Sequence, residues 1–459
     1  MSVFSLSNLK KTWYYLQKNG IRNAVWAVLE RIGQEQEVYT WQEPDEKTLS
    51  FQREHSASLR ISIVVPAYRT KKEHLEAMLN SVSRQSYPHW ELIVADAGGT
   101  AESVQAWAKK NGICLREAAD ASNLAEWKDQ SIVLCTLSEN KGISANTNAG
   151  IELAAGDAVG LLDHDDLLTS NALWEMADCL EKEKKRGKQK LVLFSDEDKC
   201  DGAASRFYEP NFKPDFDGEL LLTNNYICHF TVIETAFLKE LKLRSGFDGA
   251  QDYDLMLRAY AAGGQFVHVP KVLYHWRCHE ASTASNPQSK RYAYEAGQRA
   301  LEDYCLRKGW KATVSGLKHL GFYREDYEDS VFCQRPEIGI WAKPLPGGRD
   351  DFGIRHPKGF LVSGLYENDG SMRYAGLRKG YSGPMHRAAL QQSAPAADLR
   401  SMEVCGALKE RYAQTIAELK EACQGLPTAA QETKILQKSM EFCKEATAAG
   451  YGILWDPQA

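Results

Sequence analysis

Four residues suited to metal binding, Asp163-His164-Asp165-Asp166, directly follow the apolar run Ala158 to Leu162. A short apolar run of this kind is typical of a buried strand, which places the carboxylates at its carboxyl end. Mg²⁺ and Mn²⁺ prefer oxygen ligands, and Mg²⁺ takes one or two carboxylates while phosphate oxygens and water complete its coordination shell. The cluster therefore predicts a site for Mg²⁺ or Mn²⁺ together with a nucleoside diphosphate.

Spacing alone does not select this cluster, because Asp-x-Asp pairs recur along the chain. The pairs are Asp163/Asp165, Asp196/Asp198, Asp215/Asp217 and Asp252/Asp254. Acidic pairs are most often solvated surface, and short motifs have many chance matches. The position of each pair relative to the strands must decide which of them binds metal.

The region that positions these residues alternates short apolar runs with helical stretches. Strands are predicted at 61–65, 91–95, 132–137, 158–162 and 191–194, and helices at 73–85, 101–110 and 146–155. This alternation predicts a parallel α/β sheet, in which ligands bind beyond the carboxyl ends of the strands. Three polar segments fall there and are expected to converge in one cleft: Ala67-Tyr68-Arg69, Asp96 and Asp163 to Asp166.

Composition and motifs exclude several classes of protein. The net charge of −5 and the pI near 6.2 give no basic field, so nucleic acid is not an expected partner. No Gly-x-Gly-x-x-Gly follows the first strand, which argues against a dinucleotide-binding dehydrogenase. No apolar run approaches the roughly 20 residues of a membrane helix, and the start of the chain lacks a signal peptide, so a cytoplasmic location is expected.

The chain resembles the family 2 glycosyltransferases of the GT-A fold, in particular bacterial enzymes that build surface polysaccharides. The resemblance covers about 59 to 324 and its motifs occur in the family's order. They are Ser62-Ile63-Val64-Val65-Pro66-Ala67-Tyr68, Trp90-Glu91-Leu92-Ile93-Val94-Ala95-Asp96, Asn140-Lys141-Gly142-Ile143-Ser144, Asp163-His164-Asp165-Asp166, Ser195-Asp196-Glu197-Asp198-Lys199, Gln251-Asp252-Tyr253-Asp254-Leu255 and Tyr274-His275-Trp276-Arg277.

The resemblance implies an inverting, metal-dependent transfer of sugar from a nucleotide-diphosphate sugar to a saccharide or lipid-linked saccharide. Asp252 is the implied catalytic base, with N-terminal capping of its helix as the alternative role. The implied metal ligands are Asp163, Asp165 and His275, and the implied donor-binding residues are Pro66, Tyr68, Asp96, Gly142, Asp163 and Arg277. Asp96 has turn formation as its alternative. The implied acceptor-side residues are Glu197, Asp198, Gln251 and Trp276, where Gln251 replaces the family's usual Glu.

The resemblance also divides the chain. We expect an N-terminal helical appendage at 1–58, a GT-A domain with a mostly parallel sheet at 59–330, and a smaller α+β region at 331–459. Basic and aromatic residues near the start, such as Lys10, Lys11 and Trp13, suit either packing on the main domain or peripheral contact with the inner face of the membrane.

The last region repeats part of the transferase domain. The segments 252–272 and 439–459 align without gaps, and their Ala-Ala-Gly and Pro positions coincide. Residues 331–459 are therefore predicted to be a shortened, catalytically silent copy, with chance similarity of two helix-strand units as the alternative. Ser439 stands where Asp252 stands in the first copy.

Two other functions compete with glycosyl transfer. A non-catalytic glycan- or nucleotide-sugar-binding protein could retain the fold, but intact Asp163, Asp165 and Asp252 favour the enzyme. A nucleotidyltransferase would also bind nucleotide and metal, yet the glycine-rich phosphate loop it usually carries after the first strand is missing.

Overall fold

The computed structural model describes residues 39–118, 127–278, 291–316, 321–342, 364–365, 402–422, 438 and 441–455. It divides into two compact units, of which the first contains the described residues up to Val314 and the second those from Ser315 onward. No helix in these ranges is long and apolar enough to cross a bilayer. The predicted membrane-facing residues near the start of the chain lie outside the described residues.

The first unit alternates strands with helices along the chain. Its helices are α1 Glu46–Glu54, α2 Lys72–Ser83, α3 Ala101–Asn111, α4 Ile143–Leu153, α5 Ala172–Lys185, α6 Gly218–Thr223, α7 Thr235–Leu241, α8 Gln251–Ala261 and α9 Arg291–Lys308. Its strands are β1 Ile61–Ala67, β2 Trp90–Asp96, β3 Cys114–Ala118, β4 Ser131–Thr136, β5 Ala158–Leu161, β6 Leu167–Leu168, β7 Leu191–Cys200, β8 Phe207–Asn211, β9 Thr231–Glu234 and β10 Gln265–Arg277, followed by β11 Ala312–Gly316 at the boundary between the units.

Ten of these strands form one sheet in the order β3-β4-β2-β1-β5-β9-β7-β10-β6, with β8 paired to β7. The pairs from β3 to β5 are all parallel, and so is the pair of β7 with β10. Strand β9 runs antiparallel to both β5 and β7, and β6 runs antiparallel to β10. The predicted α/β fold with a mostly parallel central sheet is confirmed.

Burial explains why the central strands read as continuous apolar runs. Strand β1 has helices on both faces, so Ile61, Ile63 and Val65 are buried together with their neighbour Val64. Helix α4 lies close to this strand at Gly150, where a Cβ would come within 2.7 Å of Val64 Cγ1. A glycine is therefore required for that close approach of helix to strand.

The predicted elements of the first unit are confirmed, with two corrections at their ends. Helix α4 begins at Ile143 rather than 146, because Gly142 with φ 97° breaks the extended chain just before it. Strand β7 runs to Cys200 rather than 194, because its pairing with β10 continues past the acidic residues to Cys200. Helix α1 packs on the first unit, where Gln52 Nε2 lies 3.3 Å from Glu175 Oε1.

The second unit is smaller. Its helices are α10 Val331–Gln334, α11 Gly406–Arg411, α12 Ala413–Ala422 and α13 at 441–448, and its strands are β12 Tyr323–Tyr327, β13 Ile338–Ala342, β14 Gly364–Leu365, β15 Met402–Val404 and β16 Gly452–Trp455. Strands β13 and β16 are parallel, while β15 and β14 flank them in antiparallel orientation. Leu408, Phe442, Cys443 and Ala446 form its core.

The two aligned segments have the same local structure where both are described. Gly263 (φ 78°) lies between the end of α8 and the start of β10, and Gly450 (φ 89°) lies between the end of α13 and the start of β16. The amide after each glycine donates to the carbonyl five residues earlier, Gly264 to Ala259 and Tyr451 to Ala446. Each strand then pairs in parallel with an earlier one, β10 with β7 and β16 with β13.

Candidate active site

Three polar segments meet at the carboxyl edge of the sheet. They follow β2, β1 and β5, which are adjacent parallel strands. Backbone hydrogen bonds join the first two segments, since Arg69 N donates to Gly98 O (2.9 Å) and Ala97 N donates to Ala67 O (2.8 Å). The strand order thus places these segments side by side, as the sequence analysis expected.

The acidic cluster after β5 has an anchored residue and two more accessible ones. Asp166 is buried, and its carboxylate accepts from Tyr274 Oη (2.5 Å) and Arg277 N (2.7 Å). Burial, followed by the charges of Asp165 and Asp163, raises the pKa of Asp166 well above its ordinary value. Asp163 and Asp165 are only partly buried. Asp166 therefore fixes the loop on β10, and its two neighbours remain as candidate ligands.

Asp163 lies in an excess of negative charge. Burial raises its pKa, the charges of Asp165 and Asp252 raise it further, and the nearby His229 partly opposes them. Asp163, Asp165 and Asp252 thus lie close enough to interact electrostatically. Asp163 and Asp165 offer the carboxylate oxygens that a hard divalent cation prefers, so this pair fits Mg²⁺ or Mn²⁺.

Asp252 lies in the first turn of α8, and its side chain is held from two sides. The N-cap position of that helix belongs to Ala250, although Asp252 still accepts a hydrogen bond from an amide of the first turn. Its Oδ1 accepts from Tyr253 N (2.8 Å). Its Oδ2 accepts from Asn225 Nδ2 (3.0 Å) and from Cys228 Sγ (2.8 Å). The carboxylate is therefore oriented by hydrogen bonds and lies near Asp163.

Glu197, predicted on the acceptor side, lies in a buried charge network. Its Oε2 is 3.7 Å from Lys213 Nζ and 3.2 Å from His229 Nδ1. Burial acts to raise the pKa of Glu197, but the charge of Lys213 and the hydrogen bonds from His229 outweigh it and lower the pKa to about 2. Burial acts to lower the pKa of His229, but Glu197 raises it to about 9. Glu197 therefore positions His229 beside the acidic cluster.

Asp198, the next residue of β7, forms a second buried pair with His275 of β10. His275 Nδ1 lies 2.5 Å from Asp198 Oδ1, and Tyr39 Oη donates to Asp198 Oδ2 (2.7 Å). The ring of Trp41 packs edge-on against His275 with centroids 5.0 Å apart. The segment before α1 thus covers this pair, and metal ligation by His275 stays a prediction.

The remaining residues of the last motif surround the acidic loop. Arg277 Nε donates to Asp165 O (2.5 Å), and its Nη1 donates to Gly202 O (2.7 Å). Its Nη2 is buried and has no hydrogen-bond partner among the residues that the structure describes. Trp276 lies 5.5 Å from the His229 ring, centroid to centroid.

Gln251, predicted on the acceptor side, lies at the start of α8. Its Oε1 accepts from Gly249 N (2.8 Å), which places its side chain on the loop before α8.

The predicted donor-side residues lie at the same edge. Asp96 is buried, and its carboxylate accepts from the amides of Gly98, Thr100 and Ala101, which is the turn-forming role kept as its alternative. Tyr68 is 40% exposed at the neighbouring loop, directly after Pro66 and Ala67. Contacts of these residues with a nucleotide stay predictions.

Gly142 begins α4 with φ 97°, and the Asp248 carboxylate lies directly against it. Asp248 Oδ1 also accepts from Ser144 N (3.3 Å). The loop that carries Gly142 is therefore tied to the segment that leads into α8 and Asp252. This tie places a predicted donor-side loop and the predicted base on one connected framework.

The other Asp-x-Asp pairs have structural partners. Asp196 binds His268 Nε2 (2.8 Å), and Asp215 lies 3.3 Å from Nδ1 of the same ring. Asp217 caps α6 through the amides of Glu219 and Leu220. Asp254 pairs with Arg244 and Arg258. Position relative to the strands, not spacing, therefore distinguishes the Asp163/Asp165 pair.

Sequence reasoning missed Asn225, Cys228, His229 and Lys213. None belongs to a motif of short spacing. Asn225, Cys228 and His229 approach Asp252 and Glu197 through the loop between α6 and β9, and Lys213 lies in the segment between β8 and α6. The one available signal was the run Asn224-Asn225-Tyr226-Ile227-Cys228-His229, whose polar residues immediately precede a buried strand.

The chain is similar to known proteins over part of its length. The family described as "Glycosyl transferase family 2" matches residues 62–241. The chain is 36% identical to the protein y4gI of Sinorhizobium fredii over 255 residues, which is 55% of this chain and 26% of that protein. It is 34% identical to the O-antigen biosynthesis protein RfbC of Myxococcus xanthus over 256 residues, which is 56% of this chain and 19% of that protein.

Among solved structures, S. aureus TarS 1–349 in complex with UDP-GlcNAc aligns with 54% of this chain and 67% of its own, at 19% identity and a TM-score of 0.40. The chain spans about a quarter and a fifth of the lengths of y4gI and RfbC. Residues 62–241 are thus similar in sequence to the family 2 glycosyltransferases.

Proposed function

We propose that this protein is an inverting, metal-dependent glycosyltransferase that moves a sugar from a nucleotide-diphosphate donor to a saccharide acceptor in surface-polysaccharide synthesis. One observation carries the proposal: Asp252, in the first turn of α8, lies within electrostatic reach of Asp163, which follows β5 in the same loop as Asp165. A base and a metal-binding pair are thus combined in one site. The similarity to RfbC, an O-antigen biosynthesis protein, supports the polysaccharide context.

The proposed reaction is a single displacement. The acceptor hydroxyl oxygen attacks the anomeric carbon, and the bond from that carbon to the diphosphate oxygen breaks, so the electron pair leaves with the diphosphate. Asp252 takes the proton of the hydroxyl, a role that contributes about 10²- to 10⁴-fold. Asn225 and Cys228 hold the Asp252 carboxylate in place, while Arg277, with Nη2 unpartnered among the described residues, is available to a phosphate oxygen.

Asp163 and Asp165 would hold Mg²⁺ or Mn²⁺, which when bound supplies Lewis-acid stabilisation of the leaving diphosphate. His164 Nδ1 lies 3.9 Å from Asp165 Oδ1, which is beyond hydrogen-bond distance. Asp166 does not take part, because Tyr274 and Arg277 already hold it. We propose a cytoplasmic location, with the acceptor presented as a free or lipid-linked saccharide.

The alternative of a glycan- or nucleotide-sugar-binding protein predicts donor binding without turnover. The hydrogen bonds that orient Asp252 Oδ2 favour the enzyme, because a binding protein has no use for a positioned carboxylate beside an acidic metal pair. We therefore place catalysis first.

We further propose that the second unit is a shortened transferase copy without catalytic function. The matching helix-to-strand turns at Gly263 and Gly450 support this proposal. Two aligned positions are also buried in both segments: Leu255 corresponds to Phe442, and Ala259 corresponds to Ala446. Glu441 aligns with Asp254, so Glu441→Gln should leave turnover unchanged. A large loss of turnover in that variant would contradict a silent copy.

A thermal-shift titration tests the donor site. UDP, dTDP, GDP and CDP and their common sugar conjugates would be added with Mn²⁺, with Mg²⁺ or with a chelator, to the wild type and to Asp165→Ala. Because ligands that bind the native state raise its apparent stability, we expect a metal-dependent shift with one nucleotide that Asp165→Ala abolishes. Shifts that are independent of metal, or equal in both proteins, would contradict the proposed site.

A further inference from the structure

The side chains around the proposed base include a second, chemically different set of metal-binding atoms. One ligand atom each from Cys228, His229 and Asp252 lies within 4.8 Å of the other two. The set combines a thiol, an imidazole and a carboxylate. Mg²⁺ and Mn²⁺ prefer oxygen, whereas thiolate and imidazole together favour Zn²⁺. The set therefore differs in kind from the all-oxygen pair Asp163 and Asp165.

We propose that Cys228, His229 and Asp252 form an inhibitory Zn²⁺ site that shuts off the transferase by occupying its base. The inference rests on the proposed function only for its inhibitory consequence. The binding site itself depends on the geometry of the three side chains.

Distances are compatible with a tetrahedral ion. Zn²⁺ bonds of about 2.0 to 2.3 Å place neighbouring ligand atoms about 3.4 Å apart. Cys228 Sγ and Asp252 Oδ2 lie 2.8 Å apart as hydrogen-bond partners and would separate slightly, and the His229 ligand atom lies within 4.8 Å of both. Three protein ligands leave the fourth position open to water.

The surroundings of the three residues resemble those of a metal site. A metal-bound histidine usually gives its other ring nitrogen to a carboxylate, and Glu197 Oε2 lies 3.2 Å from His229 Nδ1, so binding through Nε2 would complete that arrangement. Lys213 and Asn211 hold Glu197 in turn. Asn225 Nδ2 lies 3.2 Å from Cys228 Sγ and 3.0 Å from Asp252 Oδ2, and so orients both.

The inhibitory consequence follows from which atom the ion would use. Asp252 Oδ2 is the oxygen that faces Cys228, and coordination would occupy the carboxylate that takes the acceptor proton. Binding also requires two protons to leave to solvent, one from the Cys228 thiol and one from Nε2 of the His229 imidazolium, because the thiolate and the neutral imidazole are the ligands. The donor pair Asp163 and Asp165 would stay available to Mg²⁺ or Mn²⁺.

Cobalt spectroscopy of the full chain tests the site directly. Co²⁺ bound by a thiolate gives a charge-transfer absorption in the near ultraviolet, which Zn²⁺ abolishes by displacing the cobalt. We expect this band in the wild type and in Asp165→Ala, and its loss in Cys228→Ser and in Cys228→Ala. Cys333→Ser, at an exposed cysteine of the second unit, is the matched control and should keep the band. Thermal melts would confirm that each variant is folded.

Nucleotide release in excess Mg²⁺ tests inhibition, each variant being compared with its own zinc-free rate. We expect micromolar Zn²⁺ to stop nucleotide release by the wild type and a chelator to restore it. Cys228→Ser should need at least about tenfold more Zn²⁺ for the same inhibition, because its metal site has lost a ligand. No cobalt band, or a band that survives both Cys228 variants, would overturn the proposed site. A band lost as expected without any inhibition by Zn²⁺ would instead support the metal site and contradict Asp252 as the base.

Discussion

Asn225 donates a hydrogen bond from Nδ2 to Asp252 Oδ2 over 3.0 Å, and so fixes the orientation of the proposed base from a loop 27 residues earlier in the chain. Asn225→Ala should lower kcat about tenfold, within the range that a positioned base contributes, and leave KM for the donor unchanged. Steady-state nucleotide release measures both constants. Asn111→Ala, which removes a side-chain hydrogen bond to Trp107 O at the end of α3, is the control and should change neither. A rise in donor KM without a fall in kcat would contradict the positioning role.

Glu197 and Lys213 form a buried ion pair, and removing one charge leaves the other unpaired. Glu197→Gln should lower the free energy of unfolding by about 3 to 5 kcal/mol, the usual result of breaking such a pair from one side. Urea denaturation followed by tryptophan fluorescence measures the change. Glu181→Gln, at the surface ion pair of Glu181 and Lys185, is the control and should lower the free energy of unfolding by less than about 1 kcal/mol. Equal losses in the two variants would show that the buried network has no special stabilising role.

Gly142 combines a positive φ with the close approach of Asp248. Gly142→Ala should destabilise the protein more than Gly187→Ala, because both positions have positive φ but only Gly142 lacks room for a Cβ. Adding Asp248→Ala to Gly142→Ala should recover the steric part of the loss. Denaturation midpoints of the three variants test this, and equal destabilisation by Gly142→Ala and Gly187→Ala would contradict it.

Tyr39 donates its hydroxyl proton to the buried Asp198 carboxylate. Tyr39→Phe should cost about 1.5 to 3 kcal/mol, the usual contribution of a hydrogen bond to a charged group. The Tyr87 hydroxyl donates to neutral backbone carbonyls instead, so Tyr87→Phe should cost about 1 kcal/mol. The decrease in melting temperature of each variant relative to the wild type measures the two losses. A smaller loss for Tyr39→Phe than for Tyr87→Phe would mean that the segment before α1 does not stabilise the Asp198 pair.

The sheet and the position of the acidic loop were predictable because they depend on local patterns. Apolar runs with helical spacing between them define strands and helices, and Asp163 to Asp166 directly follow one of those runs. The order of the strands then places Tyr68, Asp96 and Asp163 at one edge. These inferences needed only the general rule for parallel sheets.

The surroundings of the base were not predictable from the sequence. Asn225, Cys228 and His229 reach Asp252 and Glu197 across 24 to 32 residues, through a loop that no periodicity describes. The same is true of Tyr39, which contacts Asp198 from 159 residues away. Long-range side-chain contacts of this kind depend on tertiary packing, and a pattern read along the chain does not contain them.

In the proposed mechanism, Asp165 binds the metal and donor while Asp252 takes the proton of the acceptor hydroxyl. Calorimetric titration of the preferred nucleotide with Mn²⁺, paired with nucleotide-release rates, separates the two roles in Asp165→Ala and Asp252→Asn. We predict that Asp165→Ala weakens metal-dependent binding about tenfold or more, since even outer partners of metal ligands cost that much. Asp252→Asn should bind the nucleotide normally and lose about 100-fold or more in turnover. Equal loss of nucleotide binding in both variants, or normal turnover in Asp252→Asn, would contradict the account.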